Sequence, residues 1–239
     1  TKSGALSGPA TQMQSLVAKG LTRAEARDPI NYDKGDIVRF IRDYADKGVS
    51  RGEAYRVMGV DPVKSAIALK SEDGRDIDWR LRQWGAGKAQ AFAPQSLELK
   101  TGDRIQFTRN DREAGRINGG RGEVTSINEN ARTAAIRSPR GQTQTLSLDA
   151  PRDQHIRHAY VDTAFAAQGR TADHVMIHAD SRAANLVDQK SFYVGITRAK
   201  ESVAVYISER AGIAQTAIAQ ATAQVQMPKT VKALVAGLG

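Results

Sequence analysis

The feature that most constrains the fold is a series of turn and strand signals that occurs twice in the middle of the chain. The stretch Gly35–Phe40 (GDIVRF) resembles Gly102–Phe107 (GDRIQF). In each copy Gly and Asp favour a turn, and the apolar residues that follow favour the start of a strand. Short strands separated by turns are typical of small antiparallel barrels. We therefore predict an antiparallel β region of two SH3-like barrels, covering residues 31–98 and 99–149.

Three later landmarks extend the similarity between the two copies. They are an Arg-Gly-Glu triplet, an apolar strand signal and a hairpin turn that contains glycine. In the two copies they are Arg51–Glu53 and Arg121–Glu123, Ala66–Leu69 and Ala134–Ile136, and Glu72–Gly74 and Pro139–Gly141. Their shared order favours a duplication, and the alternative is ordinary hairpin chemistry repeated by chance.

The segments on either side of residues 31–149 have a different pattern. Residues 1–30 carry a predicted helix near Ala10–Lys19 and a second one that begins at a capping box formed by Thr22 and Glu25. From residue 150 onward, apolar strands alternate with helical stretches, which is typical of an α/β layer. A last helix is predicted over Glu209–Val225, because that segment is rich in alanine and glutamine.

The charge balance and the absence of cysteine narrow the function classes. The 239 residues include 35 Lys and Arg against 26 Asp and Glu, and the net charge of +9 favours polyanionic partners such as nucleic acid or nucleotide phosphates. Without cysteine there is no disulfide scaffold, Cys-ligated metal or Cys nucleophile. No apolar run approaches the roughly 20 residues that span a bilayer, so we expect no membrane insertion. Because the chain starts at Thr1, we expect a piece of a longer cytoplasmic protein.

Three motif-like patterns are better explained as ordinary structure. The G-x-S-x-G match at Gly48–Gly52 lies between two short strands, whereas a nucleophile elbow needs a strand before it and a helix after it. The pairs His155/His158 and His174/His178 have no evident third ligand, so no metal site is predicted. The stretch Gly85–Ala89 lacks the earlier glycine and the Ser or Thr of a phosphate-binding loop.

Polar turns between apolar strands of the last third suit the binding of phosphoryl groups. Strands are predicted at His158–Thr163, His174–His178 and Val203–Ile207, and the polar turn Gln168–Thr171 falls between the first two. Such turns are where α/β sheets place ligand-binding loops. A second polar stretch, Thr197–Lys200, carries two cations and precedes the third strand.

These two stretches carry a resemblance to a known family. Ala167–Thr171 (AQGRT) resembles motif V of superfamily 1 DNA helicases, and Tyr193–Lys200 (YVGITRAK) resembles motif VI. Together with the glycine-aspartate strand starts at residues 35 and 102, they resemble the RecD-like helicase region of conjugative relaxase-helicases of the TraI/TrwC kind, over about residues 21–208. The resemblance implies an α/β, RecA-like parallel-sheet domain made of residues 1–30 and 150–239, interrupted by the two barrels.

The resemblance also implies roles for individual residues. Arg198 matches the motif VI arginine, an arginine finger that reaches the γ-phosphate of ATP, and a structural salt bridge is the alternative for this residue. Gly169 and Lys200 would join Arg198 at the nucleotide, while Gln168 and Thr171 would contact single-stranded DNA (ssDNA). Tyr193 matches a motif VI position whose role is open. Phe165 departs from the family pattern, because many relatives have His at that position.

The Walker A and Walker B motifs do not occur in this sequence. Because ATP in these motors binds between two RecA-like domains, the resemblance implies that ATP and Mg²⁺ act in the full-length parent. The chain by itself would supply one wall of the site and would not hydrolyse ATP. Whether the parent motor is active or vestigial stays open.

Arginines of the second predicted barrel suit contact with ssDNA. Cations track phosphates and aromatic rings stack on bases, so the interleaved Phe107 supports this interpretation. The candidates are Arg104, Arg109, Asn110, Arg112 and Arg116. Acidic residues between them leave a solvated charged face as the alternative.

A docking function is the second candidate for the whole chain. The resemblance implies a cytoplasmic bacterial protein that a type IV secretion system delivers into recipient cells. The barrels would then be a translocation signal that binds a coupling protein or the secretion channel. In either case we expect a monomer.

Overall fold

The computed structural model describes residues 7–163, 166–179 and 194–207. The chain divides into two compact units, Thr1–Tyr160 and Val161–Gly239. The predicted boundary at residue 150 therefore lies too early. Within the described ranges, no helix is long and apolar enough to cross a membrane.

A six-stranded antiparallel sheet begins the first unit. Its strands are β1 (Ser7–Ala18), β2 (Ile37–Phe40), β3 (Tyr55–Asp61), β4 (Ala66–Ser71), β5 (Asp76–Arg80) and β6 (Ala89–Thr101). They lie in the order β1-β6-β2-β3-β4-β5. Short 3₁₀ helices at Glu25–Arg27, Pro29–Asn31, Ala45–Lys47 and Ala86–Lys88 connect them. The core is aromatic, with Phe40 edge-on to both Trp79 and Tyr55.

A five-stranded antiparallel sheet completes the first unit. Its strands are β7 (Arg104–Phe107), β8 (Arg121–Asn128), β9 (Thr133–Arg137), β10 (Thr143–Ser147) and β11 (Ile156–His158). They lie in the order β10-β9-β8-β7-β11. The core of this sheet is mainly aliphatic, with Ile105, Val124, Ile136 and Leu146 fully buried.

The two sheets share one strand order, as the sequence repeat predicts. The order β6-β2-β3-β4-β5 in the first sheet corresponds to β11-β7-β8-β9-β10 in the second. An isolated β-bridge joins Tyr44 to Val49 in the first sheet region, and another joins Asp111 to Arg116 in the second. The two bridges are equivalent, because both residues of the second lie 67 positions after those of the first. The same offset relates Ser65 and Arg132, the two non-glycine residues with positive φ (47° and 50°) among those described.

One sequence landmark of the repeat is wrong in register. The amides of Gly52 and Gly119 donate equivalent hydrogen bonds to the carbonyls of Phe40 and Phe107, both at 2.8 Å. The counterpart of Gly52 is therefore Gly119 and not Gly122. Gly122 lies inside β8, where a Cβ would come within 2.4 Å of Ile136 Cγ2, so close packing against β9 requires glycine there.

The predicted helix near Ala10–Lys19 is wrong, because this segment forms strand β1. It pairs with β6 from Thr11 opposite Leu99 to Ala18 opposite Phe92. Buried Thr11, Met13 and Ser15 alternate with exposed glutamines, which is the period of a strand. Long-range pairing overrides the helical propensity of alanine, glutamine and leucine. Residues of β1 thus belong to the first unit, and the predicted assignment of residues 1–30 to the domain that begins at residue 150 is wrong.

The capping box at the start of the first 3₁₀ helix is confirmed. The Thr22 amide donates to Glu25 Oε2 at 2.7 Å, and the Glu25 amide donates to Thr22 Oγ1 at 3.3 Å. The helix runs for one turn, Glu25–Arg27, and the next begins at Pro29. The sequence signal therefore marked the start of a helix correctly, although the helix is shorter than a typical α-helix.

The second unit contains two parallel strands, β12 (Ala172–Ala179) and β13 (Ala199–Ile207). Ile196, Val203 and Val205 are its buried apolar residues within the described part. The predicted strands His174–His178 and Val203–Ile207 are present. The predicted strand His158–Thr163 is wrong, because β11 ends at His158 and pairs with β7 in the first unit. The predicted helix Glu209–Val225, Tyr193 and Phe165 lie outside the described residues.

Candidate nucleotide and nucleic-acid sites

Parallel pairing of β12 and β13 brings the two motif-like segments together. Residues 167–171 (the motif V turn) lead into β12, and residues 194–198 (the motif VI turn) lead into β13. The Ala172 amide donates to the Arg198 carbonyl at 2.9 Å, and Ala172 lies opposite Ala199. Thr171 and Arg198 are therefore backbone neighbours across the strand pair.

Both turns lie at the amino ends of their strands. Open α/β sheets commonly bind ligands outside the carboxyl ends of their strands, whereas each of these turns precedes the strand beside it. Gly169 has φ +80°, a left-handed conformation that glycine adopts without strain and that turns the chain towards β12.

Arg198 has no acidic partner among the residues that the structure describes. Its Nε donates to the Val194 carbonyl at 3.2 Å, and its Nη2 donates to Thr197 Oγ1 at 3.2 Å. Thr197 Oγ1 in turn donates to the Val194 carbonyl at 3.1 Å. The half-buried guanidinium is thus held on its own turn by neutral oxygens, and the salt-bridge alternative finds no support in the described ranges.

The other predicted residues of this unit are at the surface. Gln168, Gly169 and Thr171 are exposed. Lys200 is the second residue of β13 and lies 3.7 Å from Asp173 Oδ1, with both side chains more than half exposed. A surface ion pair of this kind contributes little and leaves the lysine available to other anions.

Two of the aromatic and cationic residues predicted for DNA contact are structural. Phe107 is buried in the core of the second sheet, so it cannot stack on a base. Arg116 is 8% exposed, forms an ion pair with Asp153 at 2.5 Å and donates from Nε to Gln144 at 2.8 Å. Its guanidinium also lies 5.4 Å from the centre of the Phe107 ring. Burial and the ion pair with Asp153 therefore argue against the predicted DNA contact of Arg116.

The remaining candidates of the first unit are accessible to different degrees. Arg104 and Arg112 are exposed, and Arg109 is half-buried in a pocket. Asn110 is exposed, but its Oδ1 accepts a hydrogen bond from the Asn118 amide at 2.7 Å. Three arginines thus stay available, and the asparagine supports the loop that carries Arg109 and Arg112.

Sequence reasoning missed three basic residues beside Arg109. Arg152 and His155 line the same pocket, and Arg39 is close enough for its charge to act on His155. Arg39 lies in β2, all four residues of which are buried. A four-residue strand that is buried on both faces shows no alternation, so nothing in the sequence marked this arginine as buried.

Burial of His155 makes the stability of the first unit depend on pH. Desolvation, with the charges of Arg39 and Arg109, lowers the pKa of His155 to about 3, and Asp111 opposes this shift. The pKa of histidine in the unfolded chain is about 6.5, so below that pH the unfolded chain binds a proton at His155 that the folded chain does not bind. The free energy of unfolding therefore falls as pH falls. At pH 5 we expect a loss of about 2 kcal/mol relative to pH 7.5, measured by urea unfolding.

The matched variants for this prediction are His155→Gln and His174→Gln. His174 is exposed, so its replacement leaves the pH dependence as it is. Replacement of His155 removes most of the loss between pH 7.5 and 5. An unchanged pH profile in His155→Gln would contradict the assignment.

Comparison with known proteins finds a match to a helicase domain that covers both motif-like turns. Residues 158–206 match the UvrD-like helicase C-terminal domain. The chain is 29% identical over 162 residues to the multifunctional conjugation protein TraI of Escherichia coli, covering 66% of this chain and 9% of that protein. It is 28% identical over 148 residues to the probable conjugal transfer protein TraA of Sinorhizobium fredii, covering 62% of this chain and 11% of that protein.

The chain is related to the TraI and TraA conjugation proteins. The predicted resemblance to conjugative relaxase-helicases is thereby confirmed, and the UvrD-like match supports a C-terminal helicase region. The chain spans about a tenth of the length of these relatives.

Solved structures of Pif1 helicases are also similar in part. A Bacteroides Pif1 bound to ssDNA is 22% identical with a TM-score of 0.35, over 44% of this chain and 28% of that one. A Pif1 helicase studied at forked dsDNA is 23% identical with a TM-score of 0.34, over 44% of this chain and 26% of that one.

Proposed function

We propose that the chain forms one half of the ATP-dependent ssDNA translocation motor of a conjugative relaxase-helicase. The unit that contains β12 and β13 would be a RecA-like domain, and the two sheets of the first unit would be SH3-like barrels that precede it in this chain. The observation that carries the proposal is the hydrogen bond between Ala172 and Arg198, which joins the motif V and motif VI turns at one end of the strand pair.

Arg198 is the proposed arginine finger. A guanidinium held only by neutral oxygens can leave them for an anion without breaking an ion pair. When bound, ATP with Mg²⁺ supplies the transferring γ-phosphoryl group, whose developing charge an arginine stabilises. Gly169 and Lys200 would lie near the nucleotide. The Walker A and B groups belong to the opposite wall, which this sequence does not contain, so the chain alone would not hydrolyse ATP.

The proposed ssDNA contacts are Gln168 and Thr171 on the motif V turn, and Arg104, Arg109 and Arg112 on the first unit. A hydroxyl and an amide suit phosphate and sugar oxygens, and the arginines suit phosphates. With Phe107 buried, we expect the contact on the first unit to be electrostatic and not based on stacking.

Replacing Arg104 and Arg112 with glutamine should weaken ssDNA binding in a way that depends on salt. Each neutralised phosphate contributes about 0.7 to the slope of log affinity against log salt for a single strand, so the double variant should lose about 1.4 from that slope. Fluorescence anisotropy of a labelled oligonucleotide at several salt concentrations measures it. The matched control, Arg82→Gln with Arg140→Gln, removes the same charge at other exposed positions. Equal losses in both, or no binding at low salt, would count against ssDNA contact here.

The second candidate is a docking module for the coupling protein or channel of a type IV secretion system. Burial of Arg116 and Phe107 reduces the DNA-binding face, and large apolar side chains on the same unit are open to solvent, Val63 at 95% and Ile117 at 68% exposure. A cytoplasmic protein delivered into recipient cells would need such a surface. A cargo fused to this chain tests it in a transfer assay, and absence of transport would exclude it.

A further inference from the structure

A small open pocket lies on the first unit beside the loop that follows β7. It lies between that loop and the segment that leads into β11. It is lined by Phe107, Arg109, Asn110, Asp111, Arg116, Arg152, Asp153 and His155. Most of these side chains are polar or charged, and four of them are basic.

The two carboxylates in the pocket are already neutralised. Asp153 pairs with Arg116 at 2.5 Å, and Asp111 pairs with Arg152 at 2.5 Å. Asp111 also accepts a hydrogen bond from the Ala114 amide. The pairing with Arg152 keeps the pKa of Asp111 well below its usual range, so this carboxylate stays ionised and engaged. The charge of Asp111 also acts on Arg109 and Arg39, but neither acid of the pocket forms an ion pair with either of them.

Two guanidiniums at this place stay without an acidic partner in the described part of the chain. Arg109 is half-buried and has neither a hydrogen bond nor an ion pair there. Arg39 is 4% exposed, and its Nη1 donates to the Gly52 carbonyl at 2.5 Å, while its buried Nε and Nη2 have no partner. Burial and the charge of Arg109 lower the pKa of Arg39 to about 10, and the charges of Glu72 and Asp111 offset only part of this shift.

His155 adds an unpaired donor to the wall of the pocket. It is 4% exposed, and neither ring nitrogen has a hydrogen-bond partner among the described residues. The edge-on contact with Phe92, at 4.8 Å between ring centres, fixes the ring. A buried polar group without a partner is unfavourable, and such groups in native proteins point to an ion or water that satisfies them.

We propose that this pocket binds a phosphate-type oxyanion, with Arg109 and His155 as direct ligands and Arg39 as the buried charge behind them. A tetrahedral oxyanion offers several acceptor oxygens to donors from different elements, and its charge offsets guanidiniums that form no ion pair with a described carboxylate. The source of the oxyanion is either free phosphate or the backbone of a bound strand. The proposal stands on the first unit alone, whether or not the motor function holds.

The test follows the imidazole nitrogens of His155 by NMR in the full 239-residue chain labelled at histidine. Inorganic phosphate is titrated at constant ionic strength against chloride, and a short ssDNA oligonucleotide is titrated separately. We expect a saturable shift of the His155 signals, and we expect Arg109→Gln to weaken the affinity about tenfold, since one charge-assisted hydrogen bond is lost. Arg140→Gln, at an exposed hairpin, is the matched control and should leave the affinity unchanged.

The outcomes separate the sources and allow the proposal to fail. Saturation by phosphate alone supports a free phosphate, and saturation by the oligonucleotide alone supports a strand phosphodiester. Saturation by both, with phosphate displacing the strand, supports one shared pocket. The proposal is overturned if neither produces a saturable shift, if chloride produces the same shift, or if Arg109→Gln leaves the affinity unchanged. Because phosphate binding needs no ATPase, its failure is distinct from failure of the motor function.

Discussion

Arg198→Ala in the full-length parent protein should lower the proposed ssDNA-stimulated ATPase rate by roughly 10³-fold or more, while ssDNA affinity stays within about twofold. The reason is that an arginine finger acts on charge that develops only during phosphoryl transfer, whereas strand contacts come from other residues. A coupled phosphate-release assay, with and without saturating ssDNA, measures the rate. Arg198→Lys should recover only part of it, because lysine keeps the charge but loses the forked donors.

The matched control for this experiment is Arg140→Ala, which removes an exposed arginine from the hairpin between β9 and β10. We expect its ATPase rate to equal that of the unmodified protein. Unchanged turnover in Arg198→Ala would refute the finger assignment. An equal loss of ssDNA affinity would instead assign Arg198 to the strand.

Trp79→Ala should destabilise the chain by about 3–5 kcal/mol. Trp79 is fully buried, lies 5.1 Å from Phe40 and 5.4 Å from Tyr32 between ring centres, and donates from Nε1 to the Trp84 carbonyl at 3.0 Å. Its removal leaves a large cavity in the aromatic core and an unpaired carbonyl. Urea unfolding followed by circular dichroism measures the change, because that probe does not depend on tryptophan fluorescence.

The repeat provides a matched second variant for this measurement. Leu146 lies 67 positions after Trp79 and is also fully buried. Leu146→Ala should cost about 2–5 kcal/mol, and Val63→Ala, at a nearly fully exposed side chain, should stay within about 0.5 kcal/mol. A loss below about 1 kcal/mol in Trp79→Ala would contradict the assigned core.

Local chemistry explains what the sequence predicted correctly. The glycine-aspartate turns, the Thr22–Glu25 capping box and the two apolar strands of the second unit each depend on residues close together in the chain. Turn, cap and strand propensities act over that range, so they can be read without tertiary information.

Long-range pairing explains the errors. Strand β1 has the composition of a helix, and only the presence of β6 as a partner makes the extended form favourable. Residues 156–158 pair with β7 rather than beginning the second unit, because β7 offers a free edge in the five-stranded sheet. The match between the two Arg-Gly-Glu triplets was wrong, because three identical residues do not determine how the two copies of the repeat align. The equivalent backbone hydrogen bonds of Gly52 and Gly119 do determine it.

By itself, the sequence determined the repeat with its turn chemistry, the basic character of the chain and the positions of the two motif-like turns. All three depend only on residue types and short spacings along the chain. Tertiary structure alone decided which arginines are available. Arg116 and Arg152 form ion pairs with aspartates distant in sequence, while Arg39 and Arg109 form no ion pair with any described acid. Burial and distance between charges, which no linear pattern records, set that difference.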